Sequence, residues 1–287
     1  MWIIDAGLSA LFAGVTTILA KAGIKETNST VATALRTTII SFFSWLMVAI
    51  TGSFASLQTI SATTWLFLIL SGMATGASWL CYFRALQLGE VNKVVPVDKA
   101  SIVLTFGLSF ILLGEGFSAT KLVTILLIIV GTYLMIERKK EAEEKKSSKS
   151  WLLYALLSAV FASLTTILGK IGIDGVESNL GLAIRTTVVL VMSWGMGAVT
   201  QNLKALKGIK TSELVAIFLS GLATGASWLF YYRALKQGVT TTVIAIDKLS
   251  IVITVLFSYL VFHEKLSWKS WLGLLLIVMG TLGMIWF

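Results

Sequence analysis

The segment ATGASWLCYFRAL at residues 74–86 recurs as ATGASWLFYYRAL at residues 223–235. The likeness extends well beyond these thirteen residues. Residues 2–138 align with 151–287 at a constant offset of 149 without a gap, and 58 of the 137 paired positions, about 42%, are identical. Each copy contains five apolar runs, at 2–22, 29–51, 62–86, 92–114 and 119–136, then at 151–171, 180–200, 213–235, 239–262 and 268–287. Most are close to the ~20 residues that cross ~30 Å of hydrocarbon as a helix. Five is an odd number, so a second copy that follows the first enters the bilayer from the opposite side. The two copies then form an inverted pair about a pseudo-two-fold axis in the membrane plane, an arrangement that places a binding site near the midplane between them.

Composition supports bilayer as the solvent. The chain is 56% hydrophobic and only 13% charged, against about 25% charged in an ordinary soluble domain. Ten Trp and 24 Gly fit interfacial anchors and closely packed spanning helices. The net charge of +9 does not indicate nucleic-acid binding, because the basic residues lie at the ends of apolar runs and in one polar segment. That segment, ERKKEAEEKKSSKS at 137–150, reads as a solvated linker. The chain therefore divides into a first repeat at 1–137, a linker at 138–150 and a second repeat at 151–287. Trp2–Ile24 matches the internal stretch Trp151–Ile173, which marks the first run as a retained span rather than a signal peptide.

Each copy closes its third run with RALxxG, continues to DKxS, ends its fourth run on an acid (LLGE at 112–115, VFHE at 261–264) and carries GT in its fifth. This pattern resembles the EamA repeat of the drug/metabolite transporter superfamily over nearly the whole chain. The resemblance implies ten helices around a central cavity and transport of amino acids, sugar phosphates, nucleotide sugars, cations or drugs. Two positions depart from it: His263 replaces the Gly of LGE, and Pro96 is answered by Ala245. A proline there can bend one copy only, so the two halves need not move identically.

Ionisable residues inside apolar runs are costly and are the first candidates for function. Lys21/Lys170, Arg36/Arg185, Arg84/Arg233, Asp98/Asp247, Lys99/Lys248 and Glu115/Glu264 occur at equivalent positions in both copies. Lys21 and Glu115 sit at span ends and read as interfacial anchors. Arg36 lies one to two turns inside the second run, where snorkelling and a structural pair both fit. Arg84 and Asp98 lie at similar depth on either side of the turn near Gly89, which predicts structural ion pairs Arg84–Asp98 and Arg233–Asp247. Lys99 and Lys248 point about 100° away from their neighbouring Asp. They are expected to face an aqueous cavity or an anion, one nearer each mouth. Thr75, Ser78, Trp79 and Tyr82 follow one helix face, repeated by Thr224, Ser227, Trp228 and Tyr231. Such a hydroxyl–aromatic stripe suits a ligand wall, and interhelical bonding with packing is the competing use. GMATG and GLATG, at 72–76 and 221–225, are close-packing patterns.

There is no HExxH, CxxC, Walker loop or GxSxG, and Cys81 and His263 are the single members of their types. No catalytic role, cofactor or metal is expected. The expected function is secondary-active transport of a small polar organic metabolite, anionic or zwitterionic such as an amino acid, by alternating access. A lipid or carrier-lipid flippase and a non-transporting receptor or scaffold remain open beside it. The partners expected are a small-molecule substrate and the lipid bilayer, with no nucleic acid, in a monomer or homodimer. Basic residues divide about 17 to 6 in favour of the linker's side, which places the linker in the cytoplasm of a multi-pass cell-membrane protein. Two-repeat relatives usually have cytoplasmic termini, the opposite arrangement.

Overall fold

The computed structural model describes residues 2–113, 119–136, 150–173, 175–238 and 240–286, and every regular element among them is helical. The first copy contributes α1 (Trp2–Gly23), α2 (Ser29–Thr51), α3 (Ala62–Leu88), α4 (Val91–Lys99), α5 (Ser101–Leu113) and α6 (Ala119–Ile136). The second contributes α7 (Ser150–Ile173), α8 (Ser178–Val199), α9 (Thr211–Gln237), α10 (Thr240–Lys248), α11 (Ser250–Phe262) and α12 (Trp268–Trp286). Short 3₁₀ turns at Ser53–Thr59 and Asn202–Gly208 follow α2 and α8. Residues 137–149, the charged linker, and Glu115 lie outside the described residues.

Local chemistry sets the helix ends. Asn28 accepts from the Thr30 N–H at 2.9 Å and starts α2, and Gly52 at φ 67° ends it in the left-handed conformation that glycine adopts without strain. Ser61 accepts from the Thr64 N–H at 3.1 Å and starts α3. At the position equivalent to Asn28, Glu177 accepts from the Leu180 N–H at 3.0 Å and starts α8.

Eight helical stretches are long and apolar enough to cross a membrane, counting α4–α5 and α10–α11 as one stretch each. α6 and α12 hold shorter apolar segments, Leu122–Ile136 and Trp268–Gly283. The protein is thus an all-helical, multi-pass membrane protein.

The copies interlock rather than stand side by side. α1 packs along α9, α3 along α7, α2 along α8 and α6 along α12. Hydrogen bonds fix their direction. Ser9 meets Ser227 and Thr16 meets Thr224, so α1 and α9 run antiparallel. Trp45 donates to Thr187 at 2.9 Å, and the offset of 149 turns that bond into the observed Trp194–Thr38 bond at 3.0 Å. With Thr37 on Ser193 at 2.8 Å, the equivalent helices α2 and α8 are antiparallel. The operation that exchanges the copies therefore reverses the helix direction. Small residues allow the approach. A Cβ on Gly72 would lie 2.8 Å from the Val188 Cβ and 3.0 Å from the Arg185 carbonyl, so the GMATG segment seats α3 on α8.

The fourth span of each copy is broken. α4 gives way to α5 at Ala100 (φ −64°, ψ −8°), and α10 gives way to α11 at Leu249 (φ −63°, ψ −10°). Just beyond each break the bond shortens to three residues, Val103 N–H to the Ala100 carbonyl and Val252 N–H to the Leu249 carbonyl, both at 3.0 Å. The expectation that Pro96 would bend one copy alone is corrected: the break falls at the same place in the copy that lacks proline.

Candidate functional site

Between the copies lies a cavity of about 200 Å³. Its wall comes from α1, α3 and α4 and their equivalents α7, α9 and α10, with Arg36 added from α2. The ten residues expected to form a ligand wall, Thr75, Ser78, Trp79, Tyr82 and Lys99 with Thr224, Ser227, Trp228, Tyr231 and Lys248, all line this one cavity. The reason is geometric. The stripe occupies one face of α3 and of α9, and the antiparallel pairing turns both faces to the axis. Trp79 and Trp228 meet there edge to face, with ring centroids 5.6 Å apart.

The lysines form one central group rather than two layers near opposite mouths. Lys248 donates to the Ser101 hydroxyl, two residues beyond Lys99, at 3.0 Å. Asp98, Lys99 and Asp247 all lie within its electrostatic reach. Each lysine is the last residue before a helix break, which brings it to the axis.

The two aspartates are held by serine relays across the copies. Ser158 donates to Asp98 at 2.7 Å, and Ser78 donates to the Ser158 carbonyl at 3.1 Å. Ser9 donates to Asp247 at 2.9 Å, and Ser227 donates to the Ser9 carbonyl at 3.0 Å. The expected Arg84–Asp98 and Arg233–Asp247 pairs are therefore not formed. Arg84 donates to Gln87 at 2.7 Å. Arg233 makes a bidentate pair with Asp5, at 2.6 and 3.0 Å. The hairpin that would have aligned Arg84 with Asp98 does not lie flat, because α4 leans on α7 and α11. Asp5 lies on α1 beside α9, and its counterpart on α7 is Tyr154, and among the described residues Arg84 pairs with no acid.

Lys21 and Glu264 do more than anchor span ends. Lys21 donates to the Leu86 carbonyl and, at 2.6 Å, to the Gly89 carbonyl, so it caps the C-terminus of α3. Glu264 accepts from the Val91 and Asn92 N–H groups at 3.2 and 3.1 Å and caps the N-terminus of α4. It also accepts from Ser258 at 2.8 Å. Outside the membrane span, burial raises the Glu177 carboxyl. Hydrogen bonds from Asn179, Leu180, Ser53 and Ser178 outweigh it and hold the group below its ordinary range.

Two functional candidates, Arg36 and Arg185, show in the sequence only their depth, which fits snorkelling or a structural pair. Arg36 and Arg185 are each 1% exposed. Arg36 donates from Nε to Ser220 at 2.6 Å and from Nη2 to Thr224 at 2.7 Å. Its guanidinium lies 4.1 Å from the Phe83 ring centroid and 5.9 Å from that of Trp79. Arg185 donates to Thr75 at 3.0 Å and lies 5.0 and 5.1 Å from Trp228 and Tyr232. Among the described residues neither pairs with a carboxylate. Arg36, Trp79, Trp228 and Arg185 thus form a ladder of cation, two indoles and cation across the axis. The signal available in the sequence was an intramembrane arginine in each copy with no acid on the same run.

The cavity is lopsided. Lys170, Leu235 and Ile244 line it, whereas their equivalents Lys21, Leu86 and Val95 do not. It extends toward the C-terminal end of α9. At the other end Lys21 caps α3, and Thr17 and Tyr82 hydrogen-bond at 3.0 Å.

The EamA-like transporter family model matches residues 1–137 and 149–286. The chain belongs to the EamA-like transporter family. An uncharacterized transporter of Sinorhizobium sp., from a cobO 3' region, is 43% identical over 135 residues, 47% of this chain and 96% of that protein. That relative is about one repeat long. A crystal structure of a protein 18% identical to this one superposes with a TM-score of 0.66 over 97% of this chain and 94% of that one, a likeness of fold. As a member of the family the protein is a membrane transporter, and two family repeats flank the linker.

Proposed function

We propose that the protein is a secondary-active transporter, exporter or exchanger, of a small polar organic metabolite that is anionic or zwitterionic, such as an amino acid, and that it works by alternating access. The observation that carries this reading is the cavity on the pseudo-two-fold axis, lined by equivalent residues of both copies. Its volume of about 200 Å³ lies below the ~300–1,000 Å³ of sites for drug-sized ligands, which favours a solute of amino-acid size. The cations Arg36, Lys99 and Lys248 line it beside two carboxylates, Asp98 and Asp247. The surplus concentrates anions. In this reading Lys99 and Lys248 attract the solute, the Thr75–Ser78 and Thr224–Ser227 hydroxyls orient it, and Trp79, Tyr82, Trp228 and Tyr231 close over it.

The chain is read here as ten spans in two inverted five-helix repeats, at 1–137 and 151–287. The 138–150 linker is cytoplasmic in the cell membrane. Antiparallel pairing of equivalent helices supports the inversion. The lopsided cavity supports alternation, since exchanging the conformations of the two copies would move its mouth to the other end. Counterflow of labelled amino acids and small organic acids in proteoliposomes tests the reading. Saturable counterflow supports it, and lipid flipping without soluble-solute flux would replace it with a flippase.

A further inference from the structure

We infer that Arg36 is the seat for a carboxylate of the transported solute. The inference rests on the transporter reading and assigns a chemical class to its site. A guanidinium has five N–H donors. In Arg36 the single Nε donor serves Ser220 and one Nη2 donor serves Thr224. Nη1 is buried and has no partner. Both Nη1 donors and the second Nη2 donor therefore remain. One Nη1 donor and the free Nη2 donor form the end-on edge of the fork, which matches the two oxygens of one carboxylate.

Everything else about the residue holds that edge in place. Ser220 and Thr224 fix the fork from α9. Phe83 stacks on its face at 4.1 Å, and Trp79 lies 5.9 Å away. The side chain is 1% exposed, yet it lines the cavity. A cation kept this dry with no acid among the described residues is costly unless something anionic meets it. Asp98 and Asp247 do not meet it, because their serine relays hold them on α7 and α1. Arg185 occupies a similar cage on Thr75, with Nε and Nη1 unpartnered, but it does not line the cavity. In this conformation Arg36 alone of the two arginines lines the cavity.

The test compares acids with the amides that lack their carboxylate charge on purified protein: acetate with acetamide, L-alanine with L-alaninamide and succinate with succinamide. Thermal melts in detergent give apparent affinities, and counterflow in proteoliposomes gives flux. Wild type should favour at least one acid over its amide by about tenfold or more, the factor worth one charge-assisted hydrogen bond. Arg36→Gln should lose that preference, and Arg36→Lys, which keeps the charge without the fork, should retain part of it. Without ligand, Arg36→Met should melt no lower than wild type, because it removes an uncompensated buried charge. A lower melting point for Arg36→Met would make Arg36 a structural residue and overturn the inference. So would acid preference persisting in Arg36→Gln, or no acid-over-amide difference in wild type. Counterflow of amides as fast as acids would sink the carboxylate seat and leave the transporter reading standing. Absence of flux with an Arg36-dependent acid preference in the melts would do the reverse.

Discussion

Replacing Arg233 by Gln should destabilise the fold more than replacing Asp5 by Asn, although both break the same ion pair. The asymmetry follows from burial. The Asp5 side chain is 4% exposed and that of Arg233 is 54% exposed. Arg233→Gln leaves a buried carboxylate that has lost both of its arginine bonds, a loss of about 3–5 kcal/mol. Asp5→Asn leaves a guanidinium already half in solvent, which recovers hydration, and the cost falls to about 1–2 kcal/mol, that of one charge-assisted bond. The double variant should resemble Asp5→Asn, giving a coupling as large as the Arg233→Gln loss itself, about 3–5 kcal/mol. Arg84→Gln with Asp98→Asn should be additive within about 0.5 kcal/mol, since those residues do not touch. Equilibrium unfolding in mixed micelles reads all six variants. Additivity at Asp5 and Arg233, a larger cost for Asp5→Asn, or measurable coupling between Arg84 and Asp98 would refute the pairing.

Two further perturbations test how the helix ends are held. Glu264→Ala should cost about 1–2 kcal/mol and speed hydrogen exchange at Val91 and Asn92, because it removes the cap of α4. Glu264→Gln, which keeps an accepting oxygen, should recover much of the loss. At Glu177 the folded carboxyl titrates below its ordinary value. Its contribution is therefore fully present above the unfolded pKa and is lost as pH falls through the folded one. Unfolding free energy measured from neutral pH into the acid range should fall less steeply in Glu177→Gln than in wild type. Equal slopes would mean that this cap carries no pH dependence.

The repeat, the helical boundaries and the cavity stripe were legible because periodicity and self-similarity are properties of the chain itself. Thr75, Ser78, Trp79 and Tyr82 share a helix face whatever the helix packs against. Partners were less legible, because sequence adjacency is a poor guide to contact between interlocked repeats. Arg84 and Asp98 flank one short turn, yet α4 leans on another copy's helix and Asp98 takes its bond from Ser158. The partner of Arg233 lies 228 positions away, on α1. The mismatch of Asp5 with Tyr154 was the visible clue that only one of the two equivalent arginines would find an acid. The helix break left no mark either. Ala100 and Leu249 sit inside continuous apolar runs, and the proline three to four residues before the first break has no counterpart before the second. Arg36 was read by its depth alone, and depth does not reveal the rings and hydroxyls that cage it.

The central claim is that solute crosses through the cavity between the copies. Ala162 lines that cavity, so Ala162→Trp places a bulky ring in the cavity without replacing a member of the ion pair, the serine relays or the helix caps. Counterflow should be measured for wild type and Ala162→Trp in proteoliposomes, at matched protein content and with melting curves alongside. Wild type should show saturable flux of a small acid or amino acid, and Ala162→Trp should lose it at a near-unchanged melting temperature. Undiminished flux through the filled cavity would contradict the claim.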